Sequence, residues 1–116
     1  MKNKLSVVAL ALTLLASLGL SVRAQQTKSS SWTGWISDSI CGVRGANAAH
    51  RTCAIECIRD RGAAWVFVNT SDKKILAIEN QDGVKQEKDL GHEVTVSGHL
   101  TADGQLHVDA IAVSDN

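Results

Sequence analysis

From His92 to Thr101 the residues alternate without a break, with Val94, Val96, Gly98 and Leu100 on one side and Glu93, Thr95, Ser97 and His99 on the other. A period of two belongs to a half-buried strand, so this segment commits the chain to a sheet. Ala102-Asp103-Gly104 follows, and a three-residue hairpin loop takes its glycine in the left-handed conformation. The implied register pairs Leu100 with Leu106 on the inner face and His99 with His107 on the outer face. Beyond Val108 the apolar phase slips, because Ala110, Ile111 and Val113 all need to face inward. A bulge near Asp109–Ala110 would absorb that slip.

The earlier segments read as shorter elements. Trp32 to Ser37 predicts a strand with Trp32, Gly34 and Ile36 on one face and Thr33, Trp35 and Ser37 on the other. Asp38 to Gly45 is a loop punctuated by Gly42 and Gly45. Asn47 is placed to cap a helix that runs to about Arg61, with Gly62 as its stop. Ala64 to Asn69 and Lys74 to Glu79 are the second and third strands, and Asn80 to Gly91 is polar and irregular. The expected fold is therefore α+β and mainly β: a small five-stranded bent sheet or barrel, OB-like, with one helix after the first strand. The usual OB order differs, placing its helix between the third and fourth strands.

The N-terminus predicts export. Lys2 and Lys4 precede an uncharged apolar run from Leu5 to Val22, and Val22-Arg23-Ala24 supplies small residues where a signal peptidase cuts. Residues 1–24 thus read as a cleavable signal peptide, 25–31 as a flexible tail and 32–116 as one small β-rich domain. The expected destination is the bacterial periplasm or the medium, with no stable membrane anchor after cleavage. Removing Lys2, Lys4 and Arg23 from twelve basic and twelve acidic residues leaves an acidic excess of three. A mildly acidic domain without a basic run argues against nucleic acid and anionic membranes as partners. Three tryptophans, one phenylalanine and no tyrosine leave little for base stacking. No phosphate-binding glycine loop, nucleophile elbow or paired carboxylates suggest an enzyme.

The chemistry is concentrated in Cys41, His50, Cys53 and Cys57. His50, Cys53 and Cys57 would share one side of the expected helix. Two cysteines one helical turn apart have parallel Cβ vectors, whereas a disulfide needs Cβ atoms converging to about 4 Å. An intramolecular disulfide must then join Cys41 to Cys53 or Cys57, leaving a free thiol. Export makes this staple a natural reading, and closing such a loop would stabilise by roughly 3 kcal/mol. A second reading makes Cys41, His50, Cys53 and Cys57 a soft-metal site for Zn or Cu, since three thiolates and an imidazole match tetrahedral zinc and suit Cu(I). The spacing is not one of the common zinc signatures. A third reading is thiol–disulfide redox chemistry, although no C-x-x-C is present. Asp38 is a candidate partner behind His50, as well as a turn residue ending the first strand. His99 and His107 could hold a divalent ion but read more simply as a solvated face, and the tryptophans read as packing residues.

Thr33-Gly34-Trp35-Ile36-Ser37-Asp38-Ser39-Ile40-Cys41-Gly42, the C-x3-C helix and the closing Val94-Thr95-Val96-Ser97-Gly98 hairpin together resemble a family of small exported bacterial proteins. Its members carry a T-G-x-I-x-D-S-x-C-G segment, and the likeness spans nearly all of the expected mature chain. The resemblance implies export and this fold, and implies no activity.

Overall fold

The computed structural model describes residues 29–114. The expected signal peptide, and the expected tail as far as residue 28, lie outside them. Five strands form one sheet: β1 (Ser30–Asp38), β2 (Trp65–Asn69), β3 (Ile75–Ala77), β4 (Val94–Leu100) and β5 (Leu106–Val113). Their order is β3-β2-β1-β4-β5, and every ladder is antiparallel. The main helix, α1 (Arg51–Asp60), lies between β1 and β2, and a single turn, α2 (Gln86–Asp89), precedes β4. This is the expected small α+β bent sheet. It curls until its two edges meet at one parallel bridge, Ile78 to Leu106, where Glu79 N donates to the Leu106 carbonyl at 2.8 Å. The ladder does not close further.

Side-chain amides fill the gap that remains. Asn80 Nδ2 donates to the Val108 carbonyl at 2.7 Å, and Val108 N donates back to Asn80 Oδ1 at 2.8 Å. Gln81 makes the same exchange with Trp65, donating to its carbonyl at 3.0 Å and accepting from its N–H at 2.6 Å. These amides stand in for strand backbone. The 80–91 segment is accordingly less irregular than its composition suggests, with a 3-10 turn at Gln81–Gly83 ahead of α2.

The core collects Ile36, Trp65, Phe67, Ile78, Val94, Val96, Leu106 and Val108, with Ala54 of α1 and Leu90 closing its ends. Strand alternation puts Val66, Val68 and Ser37 on the opposite face, yet they are buried too. The segment after β1 covers them, with Ser37 Oγ donating to the Gly42 carbonyl at 2.8 Å.

The closing hairpin follows the expected register, with His99 opposite His107 and Leu100 opposite Leu106. The ladder shifts between Ser97–Ala110 and Gly98–Val108, which leaves Asp109 as the extra residue of a bulge. Gly104 has φ 79°, as the hairpin loop requires. Three inward assignments fail: Leu100 is 49% exposed, Val113 is 46% exposed, and Ala110 is exposed because the bulge pairs it with outward Ser97. Strand β1 pairs with β4 only as far as Ser30–Gly98, so Leu100 has no strand on its other flank, and Val113 ends an edge strand. β1 itself begins at Ser30, two residues before the expected start, pairing Ser30 and Ser31 with Gly98 and Ser97.

Candidate functional site

β1 delivers Asp38 to the foot of the sheet, where its side chain is fully buried. Its Oδ1 accepts from Ile40 N at 3.0 Å and Cys41 N at 2.9 Å. This Asx turn bends the chain out of the strand and brings Cys41 back towards it. The other oxygen, Oδ2, lies 2.7 Å from His50 Nε2. An ionised carboxylate can only accept, so Nε2 carries the proton and neutral His50 keeps its lone pair on Nδ1. Burial alone would raise the Asp38 pKa, but the His50 contact and the two backbone N–H bonds outweigh it and leave the pKa below its ordinary value.

His50 needs Gly45. A Cβ on Gly45 would stand 2.5 Å from His50 Cδ2 and 2.6 Å from its Nε2, and would collide with Ser37 Oγ. The glycine is required here for space. The helix start also differs from expectation. Residues Ala48–His50 form a 3-10 turn and α1 begins at Arg51, while Asn47 Nδ2 donates back to the Arg44 carbonyl at 2.8 Å instead of capping. His50 therefore precedes the α-helix and turns to Asp38. The C-terminal end matches expectation: Gly62 has φ 68°, and Arg61 N and Ala63 N both donate to the Cys57 carbonyl at 3.1 Å.

Cys53 and Cys57 project from the same side of α1 towards Cys41. The sulfur atoms of the three residues all lie within 4.8 Å of one another. Their exposure is graded: Cys57 is buried, Cys41 is intermediate and Cys53 is exposed. Cys53, the exposed member, brings its sulfur within 4.8 Å of both of the others. All three are free in the structure, so the expected Cys41 disulfide to Cys53 or Cys57 is not formed here. Burial, the Asp38 carboxylate and Cys53 push the Cys41 pKa up, against a smaller opposing effect of Arg44. Burial, Asp38 and the two neighbouring sulfurs push the Cys57 pKa up to about 11. Without a cation at hand these two thiols keep their protons at neutral pH.

The expected four-residue set thus divides into two overlapping groups that share Cys41. Cys41, Cys53 and Cys57 form one, and Asp38, Cys41 and His50 form the other, again within 4.8 Å. Each group could hold a metal ion. Asp38 enters as a potential ligand in its own right, beyond its place behind His50. The sequence signal for this was an aspartate three residues before a cysteine at a strand end, the pattern of an Asx turn.

The other sequence candidates lie elsewhere. His99 and His107 stack with ring centroids 4.9 Å apart. His107 Nδ1 contacts Glu79 Oε2 at 2.7 Å, and its Nε2 lies 3.7 Å from Asp109 Oδ1. They form a surface polar ladder, and among the described residues only the two cysteine-containing groups bring three ligand atoms together. Trp65 is core and Trp32 packs beside it, while alternation turns Trp35 to the opposite face. Among the described residues no helix is long and apolar enough to cross a membrane. No family model, curated protein or solved structure matches the chain.

Proposed function

We propose that this protein is an exported soft-metal-binding module that holds Cu(I) or Zn(II) on Cys41, Cys53 and Cys57. The carrying observation is the convergence of three free sulfurs within 4.8 Å, drawn from a loop and a helix. Thiolate sulfur is a preferred donor for both ions. Three thiolates suffice for trigonal Cu(I), and a tetrahedral ion would take His50 or Asp38 as its fourth ligand. The Asp38–His50 contact then supplies the outer hydrogen bond that orients a ligating imidazole. Cleavage after Ala24 and delivery to the periplasm or medium complete the reading, in keeping with the family likeness of the Thr33–Gly42 segment.

A second reading has its own support. Cys41 and Cys53 bring their sulfurs within 4.8 Å across loop and helix, so an oxidising compartment could staple them and leave Cys57 buried as a small apolar residue. Native mass spectrometry of protein recovered after export, without reductant or chelator, separates the two. A stoichiometric metal adduct with no mass deficit supports the metal site, lost in Cys41→Ser and Cys57→Ser and weakened in Cys53→Ser. A mass about 2 Da low with one alkylatable thiol establishes the staple and removes the metal reading.

A further inference from the structure

The three sulfurs are chemically alike but differ in their access to solvent. Cys57 is 2% exposed and lies beneath the helix, Cys41 is intermediate, and Cys53 is exposed. The sulfur of Cys53 lies within 4.8 Å of both of the others, and as the exposed member it forms the solvent side of the cluster. A closed structural site buries all its ligands and resists exchange, whereas a site that gives up its ion leaves one position accessible.

We infer that the ion enters and leaves through Cys53, by exchange with an incoming thiol, so that this is a transfer site and not a structural one. The inference rests on the soft-metal reading. In the exchange the incoming thiol forms a sulfur–metal bond and loses its proton. The Cys53–metal bond breaks, and Cys53 Sγ takes up a proton. Cys41 and Cys57 hold the ion throughout, and its oxidation state does not change. The acceptor class is a soft sulfur donor: a free thiol, or a cysteine carried by another protein.

The test uses protein recovered after export, loaded anaerobically with one equivalent of Cu(I) and mixed with free cysteine as the acceptor. Ion release from the wild type should speed up in proportion to cysteine concentration, because the acceptor joins the ion before it leaves. Cys53→Ser should still hold one ion between Cys41 and Cys57, and should surrender it to cysteine at least about tenfold faster, since the solvent position is already open. Cys57→Ala, with its fold checked by circular dichroism, should not retain the ion. A wild-type release rate independent of cysteine overturns the inference, and this arm needs no variant. Loss of the ion from Cys53→Ser as complete as from Cys57→Ala overturns it as well. Wild-type protein that takes up no ion would remove the soft-metal reading itself, and the transfer role with it.

Discussion

Replacing Asp38 by alanine removes a carboxylate that no solvent can substitute, because the side chain is fully buried. Three donors lose their acceptor: Ile40 N, Cys41 N and His50 Nε2. Ile40 is 45% exposed, so its N–H can turn to water and costs little. The Cys41 N–H lies in a partly buried turn and costs about 1 kcal/mol when orphaned. The His50 contact, a short bond to an ionised group, is worth about 2–3 kcal/mol. Asp38→Ala should therefore destabilise by about 3–4 kcal/mol, a large share of the 5–15 kcal/mol typical of a domain. In a domain of this size that is a fall in Tm of roughly 12–30 °C. Asp38→Asn keeps an oxygen for the two backbone donors but sets an NH2 donor opposite His50 Nε2. The imidazole must then shift its proton to Nδ1 to accept, so the change should cost about 1–2 kcal/mol, less than alanine.

Urea unfolding followed by circular dichroism measures both, with the slope m unchanged if the native fold survives. The acid limb provides a second check. The folded pKa of Asp38 lies below its unfolded value of 3.8, so its stabilisation is complete well above pH 3.8 and is lost as the pH falls through the folded pKa. Wild-type stability should drop in that acid window, and Asp38→Ala should show a smaller drop, since exposed Asp60 beside Arg59 also has a lowered pKa. A cost below about 1 kcal/mol for Asp38→Ala would mean that something other than this carboxylate holds the Cys41 turn.

Other changes test the same frame. Gly45→Ala should displace His50 and cost about 1–3 kcal/mol by overpacking, seen as a lower Tm together with shifted His50 imidazole resonances. Gly98→Ala should cost a similar amount, since its Cβ would run into the His107 carbonyl group across the hairpin; an unchanged Tm would contradict the bulged register. In reduced, metal-free protein, iodoacetamide should label exposed Cys53 first and Cys57 last, because Cys57 is buried and its pKa is pushed up to about 11. Peptide mass mapping over time reads that order, and early labelling of Cys57 would contradict its placement.

The sheet was legible where the side chains alternate. Val94 to Leu100 gave both the strand and its phase, and the slip beyond Val108 gave the bulge at Asp109, because a period of two leaves no freedom in register. Alternation says nothing about neighbouring strand length, however, and Leu100 is exposed because β1 ends opposite Gly98. The amide plug of Asn80 and Gln81 was hidden for a different reason: polar side chains that replace backbone partners look like loop composition. In the site, the i, i+4 spacing was enough to bring Cys53 and Cys57 together. What fixes His50 was not legible, because it is tertiary: a buried carboxylate twelve residues earlier in sequence, and the space left by Gly45, orient its ring.

The cysteine-bearing segment is an excursion from a hairpin. β1 and β2 are direct antiparallel neighbours, paired down to Asp38–Trp65, and Ser39 N donates to the Ala64 carbonyl at 2.8 Å while Ala64 N donates to Ser39 Oγ at 3.0 Å. A tight turn could join such strands, so the sheet itself does not require the long connection. That connection contributes Ala54, Ile55 and Ile58 to the core, but its first half is held mainly by Asp38, Ser37 and the meeting of the three sulfurs. Local stability should therefore be lower there than in the strands. An ion on the sulfurs would bind only the ordered segment, and mass action would stabilise that segment before the sheet. Hydrogen exchange with and without one equivalent of Cu(I) should show added protection across residues 39–63 and little change in β4 and β5. Uniform protection of the whole domain would mean that the segment and the sheet open together, and that the excursion is as integral to the fold as the strands it joins.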